Sequence, residues 1–370
     1  MTVMAFNKLK IEQKIMETED SCSVILDIPS AVKDQYNFKP GQYLTLKLDI
    51  NGQEVRRAYS IFTAPDANQF GFTVKRVKGG LVSNHLIDKL GVGDEMEVMT
   101  PEGKFTVVTE HQNNRDHYFF AGGSGITPIM SMISSILENE PMSTCYLLYA
   151  SRNENAIIFK KQLEALTQKH EDQLHVNHII SQPHVEKAGG IKGLFGKKSS
   201  PTWRGMKGRV NSDILTRYME DFPSRTGKDV YYLCGPGGMI EIVERFLINN
   251  GAESVQIKKE YFTAGESKST GAATTTASGV TSAQVKLNGE TITVDISPDK
   301  TILDALIDLG KDPPYSCTSG ACSTCMAKVI EGEVDMEVCF ALDDDEIKDG
   351  YVLTCQALCK TPKLVLDYES

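Results

Sequence analysis

The chain has 370 residues, 41% of them hydrophobic and 24% charged, with a formal net charge of −10 at pH 7. This composition excludes a wholly disordered, collagen-like or membrane-embedded protein, and the length favours two to three domains. No run of about 18 apolar residues occurs and the first residues lack the pattern of a signal peptide, so the sequence predicts a cytoplasmic protein with no membrane partner.

Charge and cysteine are concentrated at one end of the chain. Residues 283–370 hold seven lysines, no arginine and 17 acidic residues, which accounts for the whole net charge of −10. Nucleic acid is therefore disfavoured as a partner of this end, and a basic protein surface is favoured. Six of the nine cysteines lie in the last 54 residues, which predicts a thiolate site rather than a secreted disulfide framework.

Residues 1–110 are predicted to form an antiparallel β-barrel. Short alternating segments rich in β-branched residues, at 23–29, 42–50 and 70–77, are separated by Gly, Pro and Asn turns. The same region contains the tetrapeptide Arg57-Ala58-Tyr59-Ser60. Arginine can pair with a diphosphate, tyrosine offers a flat face to a flavin, and a serine hydroxyl can reach the flavin ring. Taken alone, the tetrapeptide is better explained as a solvated arginine and a half-buried tyrosine of a strand than as a ligand site.

A glycine-containing segment follows at residues 75–84. Glycine lets a phosphate approach the backbone, and a predicted helical stretch at 85–90 could present its N-terminus to an anion. A simple strand-to-helix turn is the alternative. The candidate ligand contacts of this segment are Val77, Gly80, Val82 and Ser83.

Both segments resemble the ferredoxin–NADP reductase family, which places an RxYS motif and a second diphosphate loop at this spacing. The resemblance implies that Arg57, Tyr59 and Ser60 contact FAD, as do the four candidate residues of the second segment, and that Ser60 is also catalytic. FMN-using members lack the adenine-holding elements, whereas the complete second loop and the P-x-G-x-F motif at 101–105 resemble the FAD branch. The sequence therefore favours FAD over FMN.

Residues 111–263 are predicted to form an α/β domain with a parallel sheet, because apolar runs alternate with amphipathic stretches. The predicted helices cover residues 127–137, 155–166 and 238–249. The first strand ends in a glycine-rich loop at 122–128, a context that cradles phosphate at a helix N-terminus. The loop lacks the lysine motif of a P-loop, which disfavours a nucleoside triphosphatase.

This loop and the later segment at 234–239 resemble the pyridine-nucleotide elements of the same family. The resemblance implies that Gly123 and Gly125 contact NADPH and that Ser124 and Thr127 contact FAD. In the CGP-type motif it implies a catalytic Cys234 near the hydride path; a buried, inert cysteine is the alternative. The remaining NADPH contacts assigned to this motif are Gly235, Pro236 and Met239.

Glu260-Tyr261-Phe262 resembles the terminal motif of the family. The resemblance implies a catalytic Glu260 and a Phe262 that covers the flavin, with Tyr261 as the competing residue. Ser151 and Arg152 follow the predicted second strand, where the family reads the adenine ribose. A hydroxyl and a guanidinium suit a 2′-phosphate, so NADPH is favoured over NADH.

Residues 264–282 are mostly small and polar and are predicted to be a flexible linker, which would let the last domain dock on the flavin and then turn to an acceptor. Residues 283–370 are predicted to form a small α+β (β-grasp) domain. Its signals are a hairpin around Asn288-Gly289 and a helix at about residues 301–309.

The cysteines of this last domain have a recognisable spacing. Cys317-x4-Cys322-x2-Cys325, followed after 29 residues by Cys355, is the spacing of plant-type 2Fe–2S sites. Each iron needs a tetrahedral sulfur environment, so these four cysteines are the predicted metal ligands. Structural zinc is the weaker alternative, because zinc ligands usually come as two short pairs. The segments at 316–328 and 353–356 resemble plant-type ferredoxins.

The order of flavin barrel, nucleotide domain and ferredoxin is similar to that of oxygenase reductases. Among them the chain resembles the reductase subunits of phenylacetyl-CoA epoxidases, with ketosteroid hydroxylase and hybrid-cluster-protein reductases as near relatives. The resemblance implies electron transfer from NADPH through FAD and the 2Fe–2S centre to an oxygenase with a basic docking face. A redox-sensing subunit and a flavoprotein with a structural zinc site are the alternatives.

Residues 184–208 form a basic, glycine-rich segment that these motifs do not explain. We hypothesise that its basic residues attract the ferredoxin domain or the oxygenase, and a mobile surface loop is the alternative. The residues concerned are Lys192, Lys197, Lys198, Arg204 and Lys207.

Overall fold

The computed structural model describes residues 6–185, 203–262 and 279–370. No helix within these ranges is long and apolar enough to cross a bilayer. The first region consists mainly of strands joined by turns, with one α-helix after the fifth strand: β1 (Phe6–Thr18), β2 (Ser21–Asp27), β3 (Tyr43–Ile50), β4 (Gln53–Ser60), β5 (Phe70–Lys75), α1 (Leu81–Asp88) and β6 (Glu95–Met99).

These strands form the antiparallel barrel that the sequence predicts. The sheet order is β4-β3-β6-β1-β2-β5, and a bridge between Ile61 and Phe72 joins the end of β4 to β5 and so closes the sheet. Inward-pointing residues such as Leu9, Leu44 and Val98 form its apolar core. The motif at 57–60 ends β4 and therefore lies at the seam where the barrel closes.

The second region alternates strands and helices: β7 (Asp116–Gly122), α2 (Ile126–Asn139), β8 (Thr144–Ser151), α3 (Lys160–Lys169), β9 (Leu174–Ile180), β10 (Met206–Lys207), α4 (Ser212–Asp221), β11 (Asp229–Gly235), α5 (Gly237–Asn249) and β12 (Ile257–Tyr261). The strands form one parallel sheet in the order β10-β9-β8-β7-β11-β12. Apolar clusters line both faces, and β7 is buried at every position. The strand order reverses between β7 and β11, where such sheets bind ligands at the carboxyl ends of their strands.

Two of the described helices begin several residues away from their predicted first residue. Phe159 has a left-handed conformation with φ of 60°, so α3 begins at Lys160 and the predicted helix at 155–166 is wrong over its first residues. The helix predicted at 85–90 is α1, which begins earlier because Gly79 turns the chain with φ of 72° and Gly80 occupies the N-cap position. The N-terminus of α1 therefore lies at the glycine motif itself.

The last region begins at Thr281: β13 (Thr281–Leu287), β14 (Glu290–Ile296), α6 (Ile302–Asp308), β15 (Met326–Glu331), β16 (Val334–Met336), α7 (Asp344–Lys348), β17 (Tyr351–Leu353), β18 (Ala357–Cys359) and β19 (Lys363–Asp367). Thr281 is buried, and its hydroxyl donates to the carbonyl of Thr361 at 2.8 Å. Thr281 and Ser282 therefore belong to β13 and not to the predicted linker at 264–282, of which residues 264–278 lie outside the described ranges.

The last region has the predicted α+β (β-grasp) fold. Its main sheet has the order β14-β13-β19-β15-β17, and α6 packs its apolar face against the sheet. Asn288 and Gly289 have φ of 53° and 78°, as a two-residue hairpin turn requires, so the predicted hairpin is confirmed. Thr301 caps α6, and the predicted helix at 301–309 is also confirmed.

The barrel and the parallel-sheet region share one apolar core. Phe62, just beyond β4, stacks on Phe159 with ring centroids 5.0 Å apart. Ser131 of α2 donates a hydrogen bond to the carbonyl of Thr63 at 2.6 Å. The barrel and the parallel-sheet region are therefore fixed relative to each other by this shared core.

Candidate functional site

A cleft of about 460 Å³ lies where the barrel, the parallel sheet and the cysteine loop meet. It collects every residue that the sequence assigned to FAD, together with Glu260 and two of the predicted metal ligands. The predicted residues that line it are Arg57, Tyr59, Ser60, Val77, Gly80, Val82, Ser83, Ser124, Thr127, Glu260, Phe262, Cys317 and Cys322.

One end of the cleft is suited to a diphosphate. Arg57 lines it, and the N-terminus of α1 begins there at Gly80. The hydroxyl of Ser83 accepts a hydrogen bond from the backbone N–H of Val77 at 3.0 Å, which holds the loop against the helix. A Cβ atom on Gly80 would lie 2.7 Å from that hydroxyl oxygen, so the loop needs glycine at this position.

Apolar side chains are left exposed at the same cleft. Val77 is 59% exposed and Leu81 is 44% exposed, although both line the cavity. Tyr59 packs on Phe72 with ring centroids 5.3 Å apart, and burial raises the pKa of its phenol. A flat aromatic ligand would cover this surface, which fits a flavin nucleotide.

Glu260 is the carboxyl group that lines the cleft, and its pKa is strongly shifted. Its Oε2 atom is shielded from solvent, and no described residue hydrogen-bonds to it. Burial raises the pKa of Glu260 to about 8, against a smaller opposing effect of the Ser60 hydroxyl. The carboxyl group is therefore mostly protonated at neutral pH and lies beside the buried Ser60, as a proton-holding pair requires.

Cys234 does not line the cleft. Its side chain is fully buried in the apolar core that the barrel and the parallel sheet share. Burial, and secondarily the charge of Glu260, raises the pKa of its thiol well above the ordinary value, so the thiol is neutral. The catalytic role of Cys234 stays a prediction, and the structure places it behind the cleft wall.

The glycine-rich loops after β7 and β11 touch each other at the switch point of the sheet. A Cβ atom on Gly125 would lie 2.2 Å from the carbonyl oxygen of Cys234, and one on Gly235 would lie 2.9 Å from the Cα of Gly122. These glycines are therefore required by loop packing. The predicted nucleotide contacts Gly123, Gly125, Gly235, Pro236 and Met239 all follow the carboxyl ends of these two strands.

Ser151 and Arg152 follow the next strand at the same edge of the sheet. Ser151, the last residue of β8, is buried, whereas Arg152 is exposed. β8 is the neighbour of β7, so both residues lie beside the glycine-rich loop. Their assignment to NADPH stays a prediction.

The four predicted metal ligands face one another in two pairs. Cys317 interacts with Cys322, and Cys325 with Cys355. A hydrogen bond from Cys322 lowers the pKa of Cys317 to about 5. No group of three His, Cys, Asp or Glu side chains converges on one metal position in the described residues. Each pair of thiols can supply two of the four sulfur ligands of one iron in a 2Fe–2S centre, which agrees with the spacing of the four cysteines.

The loop that carries these thiols is tightly constrained. Gly320 has φ of 71°, and a Cβ atom there would lie 2.6 Å from the carbonyl oxygen of Val338. The backbone N–H of Ser319 donates to the sulfur of Cys317 at 3.4 Å. Backbone donors aimed at sulfur are what an iron–sulfur centre uses to stabilise its charge.

The cysteine loop closes one side of the cleft through direct contacts with the other regions. The hydroxyls of Tyr43 and Thr324 are hydrogen-bonded at 2.8 Å, and Thr324 also donates to Glu102 at 3.3 Å. Phe340 stacks on Tyr261 with ring centroids 4.5 Å apart. Burial raises the pKa of Glu102 to about 7, against a smaller opposing effect of Thr324.

Sequence reasoning missed several residues of the cleft, among them Tyr43 and Lys75. Tyr43 lies directly opposite Ser60 in the register of β3 and β4. That pairing was the only signal that could have linked them, and a register is not readable from a motif search.

The basic segment at 184–208 is described only in part, because residues 186–202, including Lys192, Lys197 and Lys198, lie outside the described ranges. Arg204 and Lys207 are exposed. Lys207 belongs to β10, the sheet edge opposite to β12, whose Tyr261 contacts the cysteine-containing region. In this arrangement Lys207 does not contribute to that contact.

Comparison with known proteins matches each region to a family. Residues 8–107 match the oxidoreductase FAD-binding domain, residues 119–245 the oxidoreductase NAD-binding domain, and residues 285–360 the 2Fe-2S iron-sulfur cluster binding domain. Over 366 residues the chain is 30% identical to a subunit of 1,2-phenylacetyl-CoA epoxidase from Escherichia coli strain K12, and the match covers 99% of this chain and 98% of that protein. The chain belongs to the family of oxygenase reductase components. It is an NAD(P)H-dependent oxidoreductase.

Further comparisons agree with this assignment. The reductase is 31% identical to the ferredoxin reductase component of 3-ketosteroid-9-alpha-monooxygenase from Rhodococcus rhodochrous, over 97% of this chain and 96% of that protein. The solved structure of phthalate dioxygenase reductase is 24% identical, with a TM-score of 0.57 and 98% of each chain covered. An intact type IV self-sufficient cytochrome P450 monooxygenase is 20% identical, with a TM-score of 0.67, 98% of this chain covered and 41% of that one. These two likenesses concern the fold alone, and they confirm the predicted multi-domain architecture.

Proposed function

We propose that the reductase carries electrons from NADPH through FAD and a 2Fe–2S centre to an oxygenase, specifically a di-iron monooxygenase of the phenylacetyl-CoA epoxidase type. The observation that carries the proposal is that Cys317 and Cys322 line the same cleft as Arg57, Tyr59 and Ser60. Electron tunnelling falls steeply with distance, so a flavin and an iron–sulfur centre must lie close together to exchange electrons.

The residues of the cleft divide the work of binding and proton handling. When bound, FAD supplies the exchange between two-electron hydride chemistry and single-electron transfer. Arg57 and the N-terminus of α1 would hold its diphosphate, while Tyr59 and Phe262 would flank its ring. Glu260 would hold a proton at its carboxyl group, next to the hydroxyl of Ser60.

The cluster assignment is tested by ligand replacement. Cys322→Ser should abolish the brown chromophore and remove bound iron and sulfide, because the cluster loses a thiolate ligand. Cys339→Ser is the matched control, since this half-buried cysteine of the same region lies outside the four-cysteine spacing. Iron, sulfide and zinc are assayed together with the visible spectrum before and after NADPH. Zinc without sulfide in the purified reductase would overturn the cluster assignment.

NADPH is the proposed donor because an exposed guanidinium, that of Arg152, lies beside the nucleotide loop where a 2′-phosphate would need a partner. Arg152→Gln should raise KM for NADPH about tenfold, the value of a lost hydrogen bond to a charged group, and leave KM for NADH unchanged. Arg217→Gln, an exposed arginine of α4, is the control. A wild-type reductase with higher kcat/KM for NADH would contradict the proposal.

The acceptor is the finer part of the proposal. A match that runs the full length of a phenylacetyl-CoA epoxidase component supports an oxygenase of that type. A 3-ketosteroid monooxygenase reductase is equally similar, which makes other oxygenases the second candidate. Turnover of the reductase with purified oxygenase components of each class distinguishes them. A chain that binds FAD and cluster but does not reduce cytochrome c with NADPH would instead be a redox sensor.

A further inference from the structure

Two neighbouring arginines of β4 serve different surfaces. Arg57 lines the cleft, whereas Arg56 does not. An arginine on the outside of a barrel is normally solvated. The Arg56 side chain is nevertheless only 5% exposed. Something outside the barrel therefore covers it.

Two residues of the last region supply the cover. The Nη2 atom of Arg56 donates to Asp312 at 2.6 Å, and the guanidinium lies 4.3 Å from the ring centroid of Tyr315. On the barrel side, Glu54 accepts from Nε and Nη2 at 3.0 and 2.8 Å, and the ring of Phe6 lies 5.1 Å away. The barrel and the last region therefore each contribute one carboxylate and one aromatic ring to the guanidinium. A planar guanidinium can pair with two carboxylates and stack on rings at once, which a lysine ammonium does less well.

Both partners from the last region lie close in sequence to the cysteine loop. Asp312 and Tyr315 lie five and two residues before Cys317, which lines the cleft together with Cys322. Fixing residues 312–315 on the barrel therefore fixes the start of the cysteine loop over the cleft. The Asp312 side chain is 74% exposed, so water reaches the carboxylate of this pair while the guanidinium stays covered.

We propose that Arg56 is a positioning residue that holds the last region in its docked arrangement, with the cysteine loop against the cleft. Arg56 touches neither the cleft nor the thiols. It acts through Asp312 and Tyr315, which it fastens to the barrel. This role of Arg56 in the arrangement of the domains does not depend on which pyridine nucleotide or acceptor the reductase uses.

The test compares the full-length oxidised reductase with Arg56→Gln, Asp312→Asn and the double variant. Small-angle X-ray scattering at low and high salt reports whether the last region leaves the rest. Each single variant should lower the docking equilibrium about tenfold, as expected for one hydrogen bond to a charged group, and increase the radius of gyration. The double variant should add little to either, because both substitutions break one contact.

A kinetic readout separates positioning from a general loss of structure. In stopped-flow mixing with NADPH, the variants should reduce the flavin at the wild-type rate and the cluster more slowly. Arg225→Gln is the matched control, because Arg225 also pairs with a carboxylate, that of Asp116 at 3.1 Å, but on the parallel-sheet region. It should leave the scattering curve and the cluster step unchanged.

Two outcomes would overturn the proposal. One is unchanged scattering in both single variants. The other is an effect of Arg56→Gln without any effect of Asp312→Asn, because Arg56 would then only pack against Glu54 and Phe6 within the barrel. Purified reductase without flavin or iron would overturn the proposed function instead, and the scattering comparison would still decide the role of Arg56.

Discussion

The reductase contains two interfaces of opposite character around one cleft. The barrel and the parallel-sheet region share a continuous apolar core, in which Phe62 and Phe105 of the first pack against Phe159 and Tyr232 of the second. The last region instead meets the other two through hydroxyls, carboxylates and a buried guanidinium. Its apolar contribution to the neighbouring core is limited to Ala321 and Phe340 among the described residues.

The difference shows how one chain can combine a fixed site with a detachable one. Apolar burial grows with area and is lost only by unfolding, so the walls that receive flavin and nucleotide stay together. Polar contacts exchange readily for contacts with water and contribute little net free energy each. We therefore expect the cysteine loop to leave the cleft more easily than the two walls separate from each other.

The largest effect is expected from a substitution that weakens the apolar interface between the barrel and the parallel sheet. Phe62→Ala should lower the free energy of unfolding by about 3–5 kcal/mol, because a buried ring that stacks on Phe159 leaves a cavity. Chemical denaturation measures the loss, and bound flavin should be released in the same transition. Val255→Ala, at an 80% exposed position, is the control and should change stability by less than about 0.5 kcal/mol. An equally mild effect of both substitutions would contradict the assignment of a shared core.

Glu260 tests the apolar interface in a second way, because it lies on β12 of the parallel sheet and lines the cleft. Its folded pKa of about 8 lies above the ordinary value of 4.5, so the folded chain keeps a proton that the unfolded chain releases between these values. Stability is therefore lost as pH rises through this window. Glu260→Gln should remove the loss and be more stable than wild type at pH 9, on the order of a few kcal/mol.

Denaturation at pH 4 and pH 9 measures the effect of Glu260. The two proteins should be nearly equal at pH 4, where the carboxyl group is protonated in the folded chain and largely protonated in the unfolded chain as well. A difference that is the same at both pH values would mean that Glu260 titrates normally.

At the polar interface the expected effects are smaller. Tyr43→Phe keeps the ring that lines the cleft and removes the hydroxyl that bonds to Thr324 at 2.8 Å. Docking should weaken by about 1 kcal/mol, roughly fivefold, while the midpoint of barrel unfolding stays within error. Scattering at increasing salt measures docking. A drop in barrel stability of the size expected for Phe62→Ala would show that the two interfaces do not differ.

The smallest effect is expected at the rim. Lys104 pairs with Glu346 across the same interface, and its side chain is 54% exposed. Lys104→Gln should weaken docking by at most about 1 kcal/mol at low salt and by nothing measurable at high salt. A salt-independent loss would mean that this pair is shielded from solvent.

Much of the site was readable from sequence because its determinants are local. The spacing from Cys317 to Cys325, the tetrapeptide that ends at Ser60 and the loop at 122–128 each lie within one turn or strand end. The errors were local too. Phe159 adopts a left-handed conformation that no propensity indicates, and Gly80 occupies the N-cap position of α1 earlier than the apolar pattern shows.

The sequence alone determined the order of the three regions and the concentration of negative charge in the last one, because composition, periodicity and spacing act over short segments. Its resemblance to known reductases indicated which residues could hold a flavin and a nucleotide, and the spacing of its cysteines indicated two irons. The tertiary structure alone decided that Cys234 is buried behind the cleft, that Cys317 lines it, and that Arg56 is covered by Asp312. Contacts between residues more than 250 positions apart depend on strand register and on the shapes of packed surfaces, and neither can be predicted from a short segment of the chain.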